Sequence, residues 1–276
     1  MNLSFSKMHG LGNDFIVIDA ISQTVSLDSE MARRLADRHR GIGCDQILIV
    51  EAARSPDTDF FYRIYNADGS EVAQCGNGAR CFARFVRDKG LTDQDTIRVE
   101  TSAGPMQCQI EADGQITVNM GLARLEPADI PLNRNKRADA YHLDIDGQTI
   151  EFGAVSLGNP HAVIRVDEAD TAPITTLGPL LESHDAFPER ANIGFAQITD
   201  EEHIILRVYE RGAGETEACG SGACAAMIIA RQRGWVNDNV TVKLRGGTLR
   251  ISWKGEGEPV WMTGPATHVF DGQIKL

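Results

Sequence analysis

The sequence contains no run of eighteen uninterrupted apolar residues and no apolar stretch near its start. We therefore predict neither a membrane-spanning helix nor a secretory signal. Basic residues are also scarce, because 27 Lys and Arg stand against 39 Asp and Glu and the formal net charge is -12. Phosphate backbones and anionic membranes are bound by basic surfaces, so this charge excludes both as partners. The expected location is the cytoplasm.

Sequence signals for a metal or a cofactor are missing as well. The six cysteines include no C-x2-C pair, and the seven histidines include no H-E-x-x-H motif. The lysines stand in no context that would cradle the phosphate of a pyridoxal cofactor. We predict no metal, no cofactor and, in a cytoplasmic chain of this size, no structural disulfides.

What the sequence does contain is a seventeen-residue stretch that occurs twice without a gap, at an offset of 144 positions. The copies run from Arg63 to Ala79 and from Arg207 to Ala223, and each carries one cysteine, Cys75 or Cys219, in a Cys-Gly-x-Gly-Ala setting. A period of this length is too long for a solenoid unit and indicates a duplicated domain.

Two shorter blocks recur in the same order. Leu11-Gly12-Asn13 is echoed by Leu157-Gly158-Asn159, and an Ile-Gly-x-x-Gln-Ile motif at 42–47 is echoed at 193–198. Three ordered matches argue against chance. We expect halves related by a pseudo-two-fold axis, and a ligand between them would face one thiol from each side.

The distribution of short β-branched and aromatic runs predicts an α+β fold in which strands outnumber helices. Helical periodicity appears at four places: Ser29–Arg40, Gly78–Lys89, Pro173–His184 and Gly222–Arg233. The second and fourth helices are apolar and follow the two Cys-Gly-x-Gly turns, so each should form the buried axis of a domain.

An irregular polar segment at 121–139 is the expected linker. We therefore predict a first domain of residues 1–120 plus 265–276, because the tail folds back, and a second domain of residues 121–264. The two should be pseudo-symmetric, each a mixed, largely antiparallel β-sheet wrapped around a central helix. The active site is expected in the cleft between them.

The two cysteine loops can supply acid-base chemistry. A cysteine at a helix amino terminus meets unpaired backbone N–H groups and a positive dipole, which should lower its pKa from about 8.5 toward neutrality. The same N–H groups bind carboxylates. One thiol on each face of a carbon can remove a proton and return one from behind, as stereochemical inversion requires. The plainer interpretation is that both cysteines are packing residues.

Polar residues flank these loops. Asn13 and Asn159 occupy matched positions after glycine, and Asn66 is matched by Glu210, which Arg211 follows. Any one asparagine alone would be read as a turn former, and the Glu210 and Arg211 pair as a surface ion pair. Because Asn66 and Glu210 differ at equivalent positions of the repeat, we expect an asymmetric ligand. Arg211 is suited to a carboxylate and Glu210 to an ammonium group.

The motifs together resemble those of diaminopimelate epimerases over nearly the whole chain. The resemblance is carried by residues 8–15, Asn66 to Cys81, Gly158 to His161, and Glu210 to Gly220. It implies a cofactor-independent isomerase that interconverts LL- and meso-diaminopimelate in lysine and peptidoglycan precursor synthesis. It also implies two α+β domains that close over the substrate.

The family pattern, carried over residue by residue, implies that Cys75 and Cys219 are the catalytic pair and that His161 supports them. The implied substrate-binding residues are Asn13, Gln46, Asn66, Gly76, Asn77, Asn159, Asn192, Glu210, Arg211, Gly220 and Ser221. Ser221 stands where threonine is more usual. Phe270 stands where a tyrosine of a dimer contact is expected, and a homodimer is the implied assembly.

Two alternative functions stay open at this point. Proline and hydroxyproline racemases are similar in fold and in using two thiols, but a secondary-amine substrate gives Asn66, Glu210 and Arg211 no role. A thiol redox or binding protein without turnover would instead respond to redox reagents and exchange no α-hydrogen.

Overall fold

The computed structural model of the chain describes residues 2–72 and 75–275, so Ala73 and Gln74 of the first repeat lie outside the described residues. It divides into two compact units, Met1–Asn119 with Thr263–Leu276, and Met120–Met262. The boundaries predicted from the sequence lie one or two residues away. None of the helices in these described ranges is long and apolar enough to cross a membrane.

The first stretch of the chain holds two helices and eight strands among its described residues. In chain order they are β1 (Asn2–Gly10), β2 (Asn13–Asp19), α1 (Ser29–Ala36), β3 (Gln46–Ala52), β4 (Phe60–Asn66), β5 (Glu71–Val72), α2 (Gly76–Asp88), β6 (Thr96–Thr101), β7 (Gly104–Ile110) and β8 (Ile116–Leu122).

The second stretch begins after an irregular segment and repeats this order, with one additional strand before the repeated series and one after it. Its elements are β9 (Tyr141–Ile145), β10 (Gln148–Ser156), β11 (Pro160–Arg165), α3 (Ile174–Glu182), β12 (Asn192–Asp200), β13 (His203–Glu210), β14 (Gly214–Thr216), α4 (Gly220–Gln232), β15 (Asn239–Leu244), β16 (Gly247–Ser252), β17 (Pro259–Gly264) and β18 (Thr267–Lys275). The predicted α+β fold class is confirmed.

Strand pairing in the two units follows the same pattern. In the first unit β2 pairs parallel with β3, β3 antiparallel with β4, and β4 parallel with β6. In the second unit β11, β12, β13 and β15 pair in the same sequence of directions. Helices α1 and α3 lie in the matched parallel crossovers, where such a connection is needed. The duplication seen in the sequence is therefore a duplication of topology.

The register of these strands corrects one of the sequence matches. Gln46 lies opposite Asn66, and Ile47 lies opposite Tyr65. In the second unit Ile193 lies opposite Tyr209, so the equivalent of Gln46 is Asn192 rather than Gln197. The two Ile-Gly-x-x-Gln-Ile motifs are thus a coincidence of letters, five positions out of structural register.

Each unit wraps its strands around one helix. Helix α2 contacts β1, β2, β3, β7 and β18, and α4 contacts β10, β11, β12, β13, β15 and β16. The apolar residues of α2 are buried, among them Phe82, Phe85 and Val86, and α4 is buried from Ala223 to Ala230. Both helices begin two residues earlier than predicted, directly after the cysteines.

The last strand, β18, belongs to the first unit. It pairs antiparallel with β1, where Asn2 lies opposite Lys275 and His9 lies opposite Thr267. The sheet of this unit is thus built from two distant parts of the chain.

Candidate functional site

Both cysteines occupy the N-cap position of a buried helix. Cys75 precedes α2 with φ -148 and ψ 119, and Cys219 precedes α4 with φ -112 and ψ 105. Each cysteine carbonyl accepts the first helical hydrogen bond, from Ala79 N–H at 2.8 Å and from Ala223 N–H at 3.0 Å. The following N–H groups of each helix start are oriented as anion donors.

The glycines after the cysteines are required by close packing. A Cβ at Gly78 would lie 2.4 Å from the Tyr62 hydroxyl oxygen, and a Cβ at Gly222 would lie 3.2 Å from Cys219 Sγ. The Tyr62 hydroxyl in turn donates to the Cys75 carbonyl at 3.4 Å. The second glycine of each Cys-Gly-x-Gly loop therefore reflects limited space at the helix start.

The predicted site residues of the first unit form two hydrogen-bonded groups. Asn13 Oδ1 accepts from Asn77 Nδ2 at 3.3 Å and lies 3.9 Å from the thiol of Cys75. Gln46 Nε2 donates to Asn66 Oδ1 at 2.9 Å, at the adjoining ends of β3 and β4. Gly76 is the first residue of α2.

In the second unit, the polar side chains around Cys219 are linked differently. Asn159 Nδ2 donates to Ser221 Oγ at 3.4 Å, and Ser221 Oγ lies 3.7 Å from Cys219 Sγ. The Nε2 atom of the buried His161 is 3.1 Å from Asn159 Oδ1. Gly220, the first residue of α4, completes this loop.

Asn192, Glu210 and Arg211 lie beside this loop. Asn192 is buried and joins two backbone segments, since its Nδ2 donates to the Pro160 carbonyl at 3.1 Å and its Oδ1 accepts from Arg211 N–H at 3.0 Å. Arg211 Nη1 donates to the Glu189 carbonyl at 2.9 Å, which holds an otherwise exposed guanidinium.

Comparison with known sequences decides the family. The sequence model of diaminopimelate epimerases matches residues 5–126 and 153–269. The chain belongs to the diaminopimelate epimerase family. A diaminopimelate epimerase of Ectopseudomonas mendocina (strain ymp) is 57% identical to it over 276 residues, which is 100% of both chains.

Solved structures outside the family share the fold. A hydroxyproline epimerase from Agrobacterium vitis, with bound trans-4-OH-L-proline, has a TM-score of 0.73 at 14% identity, over 99% of this chain and 92% of that one. A Bacillus anthracis phenazine biosynthesis protein of the PhzF family has a TM-score of 0.70 at 17% identity, over 100% of both. At these identities, the similarity between the two structures and this chain concerns the fold alone.

The acidity predicted for the thiols is wrong at Cys219. Burial raises the pKa of this thiol well above its usual range, and the neighbouring Glu210 carboxylate raises it further. The Gly222 N–H and the Ser221 hydroxyl act in the opposite direction but are weaker. Desolvation is thus the largest effect, and it favours the neutral thiol at Cys219 of this epimerase-family chain.

His161 is also held neutral. Burial, and then the charge of Arg211, lower the pKa of its imidazole to about 3. The ring nitrogen near Asn159 can therefore either donate or accept, according to its tautomer.

Three residues that contact the predicted site residues of the first unit were not predicted from the sequence: Asp45 contacts Asn13, Tyr62 contacts Cys75, and Arg80 contacts Asn77. Arg80 had a detectable signal, because it interrupts the apolar face of α2 one turn after Asn77 and is fully buried. Within the described residues, no group of three or more His, Cys, Asp or Glu could hold a metal ion.

Proposed function

We propose that the chain interconverts LL-2,6-diaminopimelate and meso-2,6-diaminopimelate, and that Cys75 and Cys219 perform the proton transfer without a cofactor. Family membership supports the substrate and the isomerase activity. The observation that supports the two-thiol mechanism is that a cysteine caps the central helix in each of two units with the same topology.

The proposed step moves one proton in and one proton out. A thiolate takes the α-hydrogen and becomes a thiol, and the electron pair stays on the α-carbon and its carboxylate. The other thiol then gives its proton to the opposite face and becomes a thiolate. The neutral state of Cys219 suits the proton donor in one direction of this reaction. Backbone N–H groups at Gly76 and Gly220 would stabilise the carboxylate as charge develops.

The remaining predicted site residues are proposed to bind the substrate. Arg211 can hold a carboxylate with two parallel hydrogen bonds. Its contact with the Glu189 carbonyl already restrains the side chain, so less conformational entropy is lost when the substrate binds. Glu210 is proposed to bind an ammonium group. It also accepts a hydrogen bond from the Thr216 hydroxyl.

The test uses an analogue of diaminopimelate with a leaving group on the β-carbon. The variants Cys75→Ala and Cys219→Ala should each lose epimerisation, because neither can return a proton to the opposite face. Each should still remove one α-hydrogen, after which elimination needs no reprotonation. We expect the two variants to eliminate from opposite stereoisomers.

Matched controls are Cys81→Ala in α2 and Cys224→Ala in α4, which replace buried cysteines on the same two helices. Both should retain epimerisation and exchange the α-hydrogen of diaminopimelate for deuterium in D2O. If Cys75→Ala and Cys219→Ala prefer the same isomer, or if either keeps near-wild-type turnover, a single base is enough for epimerisation and the two-thiol mechanism is wrong. Exchange of proline but not diaminopimelate would favour the racemase alternative.

A homodimer through β18 is a further proposal, supported by two exposed apolar residues on this strand. Val269 is 53% exposed and Phe270 is 46% exposed, and the Phe270 ring contacts Phe5 edge-on. Light scattering should give a dimer mass for the wild type and a smaller mass for Phe270→Asp. The cytoplasmic location and the site in a cleft between the units stay predictions.

A further inference from the structure

A directional chain of hydrogen bonds runs past Cys75, and we call it the amide relay. Arg80 Nη2 donates to Asn77 Oδ1 at 3.0 Å. Asn77 Nδ2 donates to Asn13 Oδ1 at 3.3 Å, and Asn13 Nδ2 donates to Asp45 Oδ2 at 3.2 Å. The amide relay therefore connects a guanidinium group to a carboxylate through two side-chain amides.

The two ends of the amide relay determine how both amides are oriented. A side-chain amide has a donor end and an acceptor end of similar shape, so its orientation depends on its partners. Arg80 can only donate, and therefore the oxygen of Asn77 faces it. The ionised Asp45 can only accept, and therefore the nitrogen of Asn13 faces it. Reversing either amide would bring two donors or two acceptors together.

This orientation decides what Cys75 meets. Its Sγ lies 3.9 Å from the same Asn13 Oδ1 that accepts from Asn77. An amide oxygen is only an acceptor, so the thiol S–H donates to it and a thiolate would be repelled. A hydrogen bond that only the protonated form can make favours that form.

Arg80 is well placed to hold this orientation. Its side chain is fully buried, and its Nε also donates to the Pro265 carbonyl at 3.1 Å. A Cβ at Gly10 would lie 3.0 Å from Arg80 Nη2, so the neighbouring strand β1 leaves room for the guanidinium only because that residue is glycine.

The second unit has no copy of the amide relay. By the offset of the repeat, Cys224 occupies the position of Arg80 and Ser221 that of Asn77. Asn159 there presents its nitrogen to Ser221, whereas its oxygen faces His161. The two matched asparagines, Asn13 and Asn159, thus turn opposite ends toward their cysteine loops.

We propose that Arg80 and Asp45 are positioning residues that fix the amide orientation of Asn77 and Asn13 and thereby disfavour the Cys75 thiolate, the base that the proposed function requires when Cys219 is the proton donor. The importance of this for turnover rests on the proposed function. The protonation state of the Cys75 thiol can be measured without turnover. A wrong proposal about the amide relay can therefore be distinguished from a wrong proposal about the function.

The test is the pH dependence of Cys75 alkylation by iodoacetamide, followed by mass spectrometry of the Cys75 peptide. The thiolate forms the carbon–sulfur bond and iodide leaves, so the rate reports the thiolate fraction. Tyr62 and Cys81 are titratable groups that interact with Cys75. Burial raises the pKa of both, that of Cys81 to about 12, so neither titrates between about pH 6 and 10.

The principal variant is Asp45→Ala, because the Asp45 side chain is 47% exposed and its loss should not unfold the chain. Without the carboxylate, only the Arg80 end holds the orientation, so Asn13 turns its nitrogen toward the sulfur more easily. We expect the apparent pKa of Cys75 to fall by about half a unit to one unit, the size of one hydrogen bond. Arg80→Met, at the other end, also removes a positive charge, whose loss by itself raises a thiol pKa, so it should lower the apparent pKa of Cys75 less than Asp45→Ala does.

The control is Asp95→Ala, which removes an exposed carboxylate paired with Arg87 in the same unit and should leave the apparent pKa of Cys75 unchanged. In the double variant of Asp45 and Arg80 the shifts should not add, because both ends orient the same two amides. An unchanged pKa in Asp45→Ala would overturn the proposal, and so would fully additive shifts. If Arg80→Met fails to fold, Asp45→Ala decides alone.

Discussion

Replacing Gly78 by alanine should destabilise the first unit through a single contact. The added Cβ would lie 2.4 Å from the Tyr62 hydroxyl oxygen, and next nearest is Leu48 Cδ2 at 3.2 Å. Tyr62 is 2% exposed and cannot turn its ring toward solvent. Overpacking of this kind costs about 1 to 3 kcal/mol, whereas alanine gains at most about 1 kcal/mol over glycine inside a helix. We therefore expect Gly78→Ala to lower the free energy of unfolding.

The sign of the effect should reverse when the hydroxyl is removed. Tyr62→Phe alone loses one hydrogen bond to the Cys75 carbonyl and should cost about 1 kcal/mol. In that background the next contacts of the alanine Cβ are the flexible end of Leu48 at 3.2 Å and Phe15 Cε1 at 3.4 Å, which is an ordinary van der Waals distance. Gly78→Ala should then be neutral, or stabilising by up to about 1 kcal/mol.

Thermal unfolding followed by far-UV circular dichroism measures all four proteins of this cycle. Each kcal/mol should shift Tm by about 2 to 4 °C in units of this size. Epimerisation should fall in Gly78→Ala and recover in part in the double variant, because the hydroxyl contacts the backbone of the Cys75 loop, which is proposed to be catalytic. If Gly78→Ala lowers Tm equally in both backgrounds, the hydroxyl is not the obstacle.

Three further predictions follow from the second unit and from the proposed chemistry. Arg211→Lys should reduce kcat/KM for diaminopimelate by about 2 kcal/mol, roughly 30-fold, because an ammonium group cannot form the planar pair of bonds; an unchanged value would make Arg211 a plain surface charge. Because the pKa of His161 is about 3 when folded and 6.5 when not, its contribution to stability is lost as pH falls from 6.5 toward 3. The Tm difference between the wild type and His161→Gln should therefore shrink between neutral pH and about pH 4, and a constant difference would contradict this. Chelators should leave the epimerisation rate unchanged, and the protein should show no pyridoxal absorbance; activity lost with EDTA and restored by zinc would contradict the two-thiol mechanism.

Local patterns in the sequence were enough to predict the elements that carry the cysteines. Each cysteine loop combines a strand, a glycine turn and an apolar helix, and all three signals are local. The hairpin of β9 and β10 was not predicted, although Asp146 and Gly147 form its turn with positive φ values and their Asp-Gly pair is typical of one. Both strands also alternate between buried apolar and exposed polar residues near this turn, which is a strand signal as well.

The errors concern quantities that depend on the folded environment. The match between Gln46 and Gln197 was wrong because identical letters do not report which residue lies opposite Tyr209 or Tyr65. The prediction of a lowered pKa for Cys219 was wrong because the sequence shows the helix start but not the burial of the thiol. Asp45 was missed because it joins the site only through the amide of Asn13.

The pairing of β18 with β1 bears on how the chain folds as it leaves the ribosome. Every residue of the second unit, Met120–Met262, is synthesised before β18. The second unit can therefore acquire its full set of strands while the first still exposes the free edge of β1. Such an edge can pair with other chains. We expect the first half of the nascent chain to depend on protection from aggregation until residues 267–275 emerge and complete its sheet.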